Sequence, residues 1–217
     1  MMETEQIRFW QGDFGKEYTD RNSRTPDEWD RFYLETWGHT KTAMNEAFLD
    51  TLPRDIRILE VGCNTGMQLV GLQKMGFQNL YGIELQWYAV ERAREFTQHI
   101  NVLQGSGFDL PFRDGFFDLV CTNGVLIHIA PADLPTIMGE MLRCSRRWIW
   151  GFEYYAPTLE SINYRGNNDK LWRADYAALF QRQSPGLQEV KKTMYPYCTP
   201  PNVDAMYLLE KPTAQAR

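Results

Sequence analysis

The sequence predicts an α/β fold: a mostly parallel, seven-stranded sheet with helices on both faces and an N-terminal helical cap. Three observations lead there. From Arg57 onward, short apolar runs alternate with segments of helical period, the pattern of parallel strands between helical layers. A glycine-bearing turn joins the first run to the first of these helices. The length, 217 residues, fits one α/β domain with modest additions and is enough to bury a sizeable core.

The elements follow in order. Residues 7–24 form an aromatic, charged leader that includes Phe9, Trp10, Phe14 and Tyr18. Thr25-Pro26-Asp27-Glu28 reads as a helix start, with Thr25 as N-cap, Pro26 at the first helical position and Glu28 closing a capping box. Trp29, Phe32, Tyr33, Trp37, Met44, Ala47 and Phe48 continue at helical spacing, and Gly38 is placed to divide the stretch into two helices. Arg57–Val61 is a buried first strand, followed by a helix over Met67–Met75 that Gly76 stops. Strands at Leu80–Ile83, Asn101–Gln104, Phe117–Thr122 and Trp148–Phe152 interleave with helices at Gln86–Gln98 and Asp133–Cys144. The tail adds a helix over Ala174–Gln181 and two strands, Leu187–Tyr195 and Ala205–Leu209, joined by a Pro-rich link.

Composition excludes several classes of function. The formal net charge is −5 and no basic run is present, which argues against a protein that grips nucleic acid. The opening MMETEQIRFW has acidic residues and no apolar stretch, unlike a signal peptide. No run approaches the roughly 18 apolar residues of a spanning helix, so a soluble, cytoplasmic chain with no membrane partner is expected. Cys63, Cys121, Cys144 and Cys198 are scattered without a C-x-x-C pair, which predicts reduced thiols and neither a zinc site nor a redox pair. The chemistry expected is independent of metal.

The strongest motif is Ile58-Leu59-Glu60-Val61-Gly62-Cys63-Asn64-Thr65-Gly66-Met67. A turn of small residues at a helix start lets backbone N–H groups approach a ligand closely. A dinucleotide fingerprint needs glycine at 62, 64 and 67, and Asn64 and Met67 break it, which disfavours a dehydrogenase. The turn instead resembles the first motif of class I methyltransferases, acid-x-Gly-x-Gly-x-Gly, on Glu60, Gly62 and Gly66. Asn64 stands for the middle glycine, and Asn tolerates left-handed backbone better than most residues. That resemblance implies a Rossmann-like fold and S-adenosyl-L-methionine as cofactor.

Glu84 closes the second strand about 20 residues after the turn, where a carboxylate can accept from both hydroxyls of a ribose. Under the resemblance, the cofactor site comprises Glu60, Gly62, Cys63, Asn64, Thr65, Gly66, Glu84 and Leu85. Ser106, Gly107 and Phe108 would border the adenine, Asn123 and Gly124 the methionine part, and Tyr18 would close over the site from the leader.

A closer likeness extends over nearly the whole chain. Phe9-Trp10-Gln11-Gly12-Asp13-Phe14-Gly15, Tyr18 and Arg21-Asn22 carry it first. Asn123-Gly124-Val125-Leu126-Ile127-His128-Ile129 follows, then Glu153-Tyr154-Tyr155-Ala156-Pro157 and Asn163-Tyr164-Arg165-Gly166. Together they resemble the methylases associated with pseudaminic acid biosynthesis. The chain departs from them at Asp169–Tyr176, which is less basic than the family's segment. The resemblance implies methyl transfer to oxygen or nitrogen of a small acceptor such as a nonulosonic-acid-type sugar or its precursor.

His128, just past the fourth strand, is the candidate base, since imidazole titrates in the useful range; a packed core histidine is an equal reading. Glu153 and Tyr155 complete the catalytic candidates, Glu153 as a partner of His128 or of an acceptor hydroxyl. Arg21, Tyr154, Asn163, Tyr164 and Arg165 are the acceptor-binding candidates, with Arg165 as a bidentate clamp for an anion. The expected organisation is a single domain over 1–217: a cap or lid at 1–52 and a core at 53–217, with an acceptor-facing insertion near 154–172. A DNA amino-methyltransferase would carry Asn/Asp-Pro-Pro-Tyr/Phe where Thr122-Asn123-Gly124-Val125 stands. A protein or other natural-product acceptor, and a cofactor-binding regulatory module without turnover, stay open at this point.

Overall fold

In a computed structural model that describes residues 4–212, the sheet is built outward from β1 (Arg57–Val61). Its alternate side chains feed two cores: Ile58 packs with Leu69, Leu72, Leu80 and Val90 on one face, and Leu59 and Val61 with Val120, Ile137 and Ile149 on the other. Because both faces of a parallel strand are covered, the run reads as continuously apolar. β2 (Asn79–Glu84) and β4 (Phe117–Asn123) flank β1 in parallel, β3 (Asn101–Gln104) extends from β2, and β5 (Ser145–Tyr154) from β4. Two antiparallel strands, β8 (Gln188–Pro196) and β9 (Val203–Glu210), complete the order β3-β2-β1-β4-β5-β9-β8. This is the seven-stranded, mostly parallel α/β sheet that the alternating runs predict. The ends of the 1–217 division, residues 1–3 and 213–217, lie outside the described residues.

The leader folds into two helices, α1 (Glu5–Gln11) and α2 (Asp13–Asn22), which break at Gly12. In α3 (Pro26–Trp37) the Thr25 hydroxyl accepts from Glu28 N, and Glu28 Oε2 accepts from Thr25 N at 2.8 Å. Such caps stabilise a helix by about 1 kcal/mol. Gly38, with φ of 73°, ends α3 before α4 (Lys41–Leu49). The helices between strands are α5 (Met67–Lys74), α6 (Trp87–Phe96) and α7 (Leu134–Cys144), and α8 (Tyr176–Gln183) packs beside α7. Residues 155–175 carry a small separate ribbon of β6 (Glu160–Ser161) and β7 (Trp172–Arg173).

β5 starts three residues earlier than its apolar run, at Ser145. Arg146 and Arg147, which masked this extension in the sequence, are ion-paired at the strand's exposed start with Asp118 and Glu210 respectively. No helix among the described residues is long and apolar enough to cross a membrane.

Candidate functional site

A cavity of about 670 Å³ opens along the carboxyl ends of the strands, where folds of this type take their ligands. It runs from β2 and β1 across β4 to β5 and β9, and α1 to α3 roof it.

At the β1–β2 end, three residues of the turn lie in the left-handed region: Gly62 (φ 72°), Asn64 (φ 46°) and Gly66 (φ 78°). Asn64 therefore adopts the conformation that the motif elsewhere gives to glycine. At Gly62 a side chain is excluded twice over, by φ and because a Cβ would lie 2.7 Å from Val125 Cγ2. The turn is pinned to β2, since Gly62 N donates to Ile83 O at 2.8 Å. Glu84 accepts from Asn64 N through Oε2 and from Gln86 N through Oε1, each at 2.9 Å. Its carboxylate is thus fixed by backbone donors, with lone pairs left over; burial nevertheless raises its pKa.

Glu60, Gly62, Cys63, Asn64, Thr65, Glu84, Leu85, Ser106, Gly107, Phe108, Asn123, Gly124 and Tyr18 all line the cavity. Gly66 does not line it and starts α5 instead. Two buried acceptors at this end, Glu60 Oε2 and Asn64 Oδ1, have no hydrogen-bond partner. Burial pushes Glu60 up to about 8 and raises the Cys63 thiol. Ser106 Oγ accepts from Phe108 N at 3.2 Å, which shapes the loop. Tyr18 is held at about 12 by burial and by neighbouring Tyr164 and Glu84.

In the middle of the cavity, His128 sits on a short 3₁₀ turn, Leu126–His128, and is 8% exposed. Its Nδ1 lies 2.8 Å from Lys170 O. A carbonyl only accepts, so Nδ1 carries the proton and Nε2 keeps its lone pair in the neutral ring. Burial lowers its pKa to about 4. Trp10 packs against the imidazole at 4.6 Å between ring centres and Tyr164 at 5.3 Å.

Glu153, 2% exposed, lines the cavity but is not paired with His128. Its oxygens accept from Val125 N at 3.2 Å and Ile127 N at 3.4 Å, so it anchors the loop that carries His128 and makes no bond to the imidazole. Burial pushes it up to about 7.

Three candidates lie outside the cavity. Tyr155 follows the end of β5, where its N–H donates to Val203 O and Lys192 stands over its ring at 5.3 Å. Arg21 is exposed on the outer side of α2, beside Glu17 at 3.5 Å. Arg165, with φ of 50°, occupies the exposed tip of the turn that pairs Tyr164 with Asn167. Neither arginine lines the cavity in this conformation. Tyr154, Asn163 and Tyr164 do line the cavity, although Asn163 is engaged with Asn168 at 2.7 Å.

The structure adds residues that sequence reasoning missed. Lys41 is 2% exposed and donates to Asn123 Oδ1 at 3.0 Å, with its ammonium 4.3 Å from the Phe152 ring. Burial lowers it to about 7, opposed by Glu60 and Asp204. In the sequence it looks like a solvated lysine in a first helical turn, and nothing in Thr40-Lys41-Thr42 signals otherwise. Gln86 fastens the leader to the core: its Nε2 donates to Trp10 O and Gly12 O, and its Oε1 accepts from Thr19. Gly15 permits this close roof, for a Cβ there would stand 1.9 Å from Trp10 O. Asp204, on β9, accepts from Trp37 Nε1 at 2.8 Å.

Comparisons with known proteins bear on the fold. Residues 59–147 match the family model described as a methyltransferase domain. An uncharacterized methyltransferase of Synechocystis sp. is 32% identical over 87 residues, which are 40% of this chain and 41% of that protein. The matched segments span between 32% and 41% of the curated relatives' lengths. Among solved structures, the Burkholderia thailandensis 1,6-didemethyltoxoflavin-N1-methyltransferase, with 1,6-didemethyltoxoflavin and S-adenosylhomocysteine bound, superposes with a TM-score of 0.71. It is 14% identical and the match covers 97% of this chain and 92% of that one. The magnesium protoporphyrin IX methyltransferase of Synechocystis, with SAM bound, gives 0.67 at 13% identity over 98% and 100% of the two chains. The chain therefore has the Rossmann-like α/β fold of methyltransferases, with a methyltransferase-domain match on the strands and turns that build the β1–β4 part of the cavity.

Proposed function

We propose that the chain is an S-adenosyl-L-methionine-dependent methyltransferase of the cytoplasm that modifies a small-molecule acceptor. One observation carries the reading: the Gly62–Gly66 turn and the backbone-fixed Glu84 carboxylate open into the same cavity as His128. The residues fit the cofactor. The unpartnered groups at the β1–β2 end, Glu60 Oε2 and Asn64 Oδ1, are acceptors, and the cofactor presents ribose hydroxyls and amino groups that donate. Glu84 would bind the ribose, Leu85, Ser106, Gly107 and Phe108 would flank the base, and Gly62, Cys63, Thr65, Asn123 and Gly124 would border the methionine part. Tyr18 would cover it from α2.

S-adenosylmethionine brings its methyl group already activated on a sulfonium. What this chain must supply is alignment, which is worth up to roughly 7–11 kcal/mol, and proton management. Neutral His128 serves the second need: Nε2 takes the proton from an acceptor hydroxyl or ammonium, and the resulting imidazolium is steadied through Nδ1–H by Lys170 O. Glu153 positions this base by holding the Val125 and Ile127 N–H groups. The roof of α1 and α2 excludes water.

The family resemblance implies a nonulosonic-acid-type acceptor, methylated on oxygen or nitrogen. Its carboxylate would need a cation, and Arg21 and Arg165 stand outside the cavity. Calorimetric titration with S-adenosylmethionine and, separately, with NAD tests the central reading. Saturable binding of the first alone supports it; binding of NAD alone, or of neither, overturns it.

A further inference from the structure

Beyond Asn123 the cavity changes character. Trp29, Phe32, Tyr33, Trp37, Tyr154 and Tyr197 line this end. They form a connected aromatic wall, with ring centres 5.0 Å apart for Trp29–Tyr33, 4.5 Å for Tyr33–Trp37 and 5.0 Å for Trp37–Tyr197. Set into the wall is Asp204, 4% exposed, opposite Tyr154 in the β5–β9 register. Trp37 Nε1 donates to its Oδ2 at 2.8 Å and the Tyr197 side chain also lines this end of the cavity, which leaves lone pairs on the carboxyl for a ligand. The indole nitrogen of Trp29 is buried without a partner.

The charge of the lining is one-sided. The described residues that line the cavity include four carboxyl side chains, Glu60, Glu84, Glu153 and Asp204, and no lysine or arginine. His128 is neutral, and the buried Lys41 ammonium, which does not line the cavity, donates to Asn123 and offsets the Asp204 charge only in part, since burial still leaves that carboxyl raised. Glu84 and Glu153 are satisfied by backbone donors, and Glu60 belongs to the cofactor end. Asp204 alone stands in the aromatic half. A carboxylate or phosphate entering there would lose its hydration beside a buried acid, with no lysine or arginine in the lining to pair with it. An ammonium would gain both a charge-assisted hydrogen bond and the faces of the surrounding rings.

We propose, on the methyltransferase reading above, that the aromatic half of the cavity binds an acceptor with a flat aromatic body and an amino nitrogen anchored at Asp204, and rejects anionic acceptors. Burial raises the Asp204 carboxyl to about 7, and an ammonium held against it would favour the ionised form.

The test uses the full chain saturated with S-adenosylhomocysteine and three probes that share one ring system: tryptamine, the neutral alcohol tryptophol and indole-3-acetate. Calorimetry should give tryptamine at least about tenfold tighter binding than indole-3-acetate and about fivefold tighter than tryptophol. Asp204→Asn should erase the preference over tryptophol while S-adenosylhomocysteine affinity stays unchanged. Equal or tighter binding of indole-3-acetate, equal binding of tryptophol, or no binding of any probe overturns the proposal. A preference that survives in a variant still binding S-adenosylhomocysteine overturns it as well. If Asp204→Asn no longer binds S-adenosylhomocysteine, the wild-type ranking of tryptamine against tryptophol decides. Wild-type protein that fails to bind S-adenosylhomocysteine refutes the methyltransferase reading first, and this one falls with it.

Discussion

The β1–β2 end of the cavity and its β5–β9 end are assembled in opposite ways. At the first, a continuous stretch of chain, 60–66, and one carboxylate 20 residues away make the surface, and backbone N–H groups do most of the positioning. At the second, side chains from α3, β5 and β9 and from residues 197 and 202 converge from distant parts of the sequence, and aromatic faces replace backbone donors. On the proposed reading, the backbone-built end takes the cofactor, whose ribose and base do not vary with the acceptor. A side-chain-built surface takes its chemistry from the individual residues that converge on it, and the proposal above places the acceptor there. His128 stands at the junction, with its loop held by Glu153 and its ring packed by Trp10 from the roof.

The largest expected effect falls at that junction. His128→Asn should lower turnover about 10²–10⁴-fold, the usual worth of a positioned general base, while S-adenosylhomocysteine affinity stays within about twofold. Single-turnover kinetics beside calorimetry separates the two. Turnover at the wild-type level would make His128 a packing residue and leave the junction without a base.

The same residue predicts a pH effect on stability. The folded-state pKa of about 4 lies below the ordinary imidazole value, so the folded protein prefers the neutral ring. The contribution is present in full above about 6.5 and is lost as pH falls toward 4, up to about 3 kcal/mol. Denaturant titrations of the wild type and His128→Asn should therefore converge by that amount between pH 7 and 4. Parallel curves would mean that the imidazole is solvated and that the α1–α2 roof stands open in solution.

At the cofactor end, Glu84→Ala should weaken S-adenosylmethionine binding by about 1–3 kcal/mol through lost charge-assisted bonds. Asn64 N and Gln86 N lose their shared acceptor in the same variant. An unchanged affinity in calorimetry would remove the ribose assignment and blur the contrast between the two ends.

How much of this was legible follows the same division. The turn, Glu84 and the order of strands and helices could be read because their signals are local: left-handed positions, an acid at fixed spacing, apolar runs between helical periods. Asn64 illustrates it, for its short amide side chain suits the φ of 46° that it adopts. The aromatic end could not be read. Tyr33 and Trp37 have the spacing of an ordinary core stripe, and their rings do join the core cluster. Asp204 lies 167 positions from the indole that it accepts from. Lys41 shows the same blindness, since only the packing of α3, α4 and β5 reveals that its ammonium is buried. Arg21 and Arg165 show the converse, since neither lines the cavity. Their chemistry suits an anion, yet an outward helix face and a turn tip decide where they point.

Their placement yields the smallest prediction. Arg21→Ala and Arg165→Ala should each change the acceptor KM by no more than about twofold, because exposed side chains away from special features contribute within about 0.5 kcal/mol. Arg21 gives up only a 3.5 Å contact with Glu17 and a distant face of Phe14. Arg165 gives up its side chain at a tip where Tyr164 and Asn167 already close the turn through their backbones. A tenfold rise in KM for either variant would show that the 163–168 turn or α2 swings inward when the acceptor binds. The cavity would then gain a cation that it lacks in this conformation, and anionic acceptors would return to consideration.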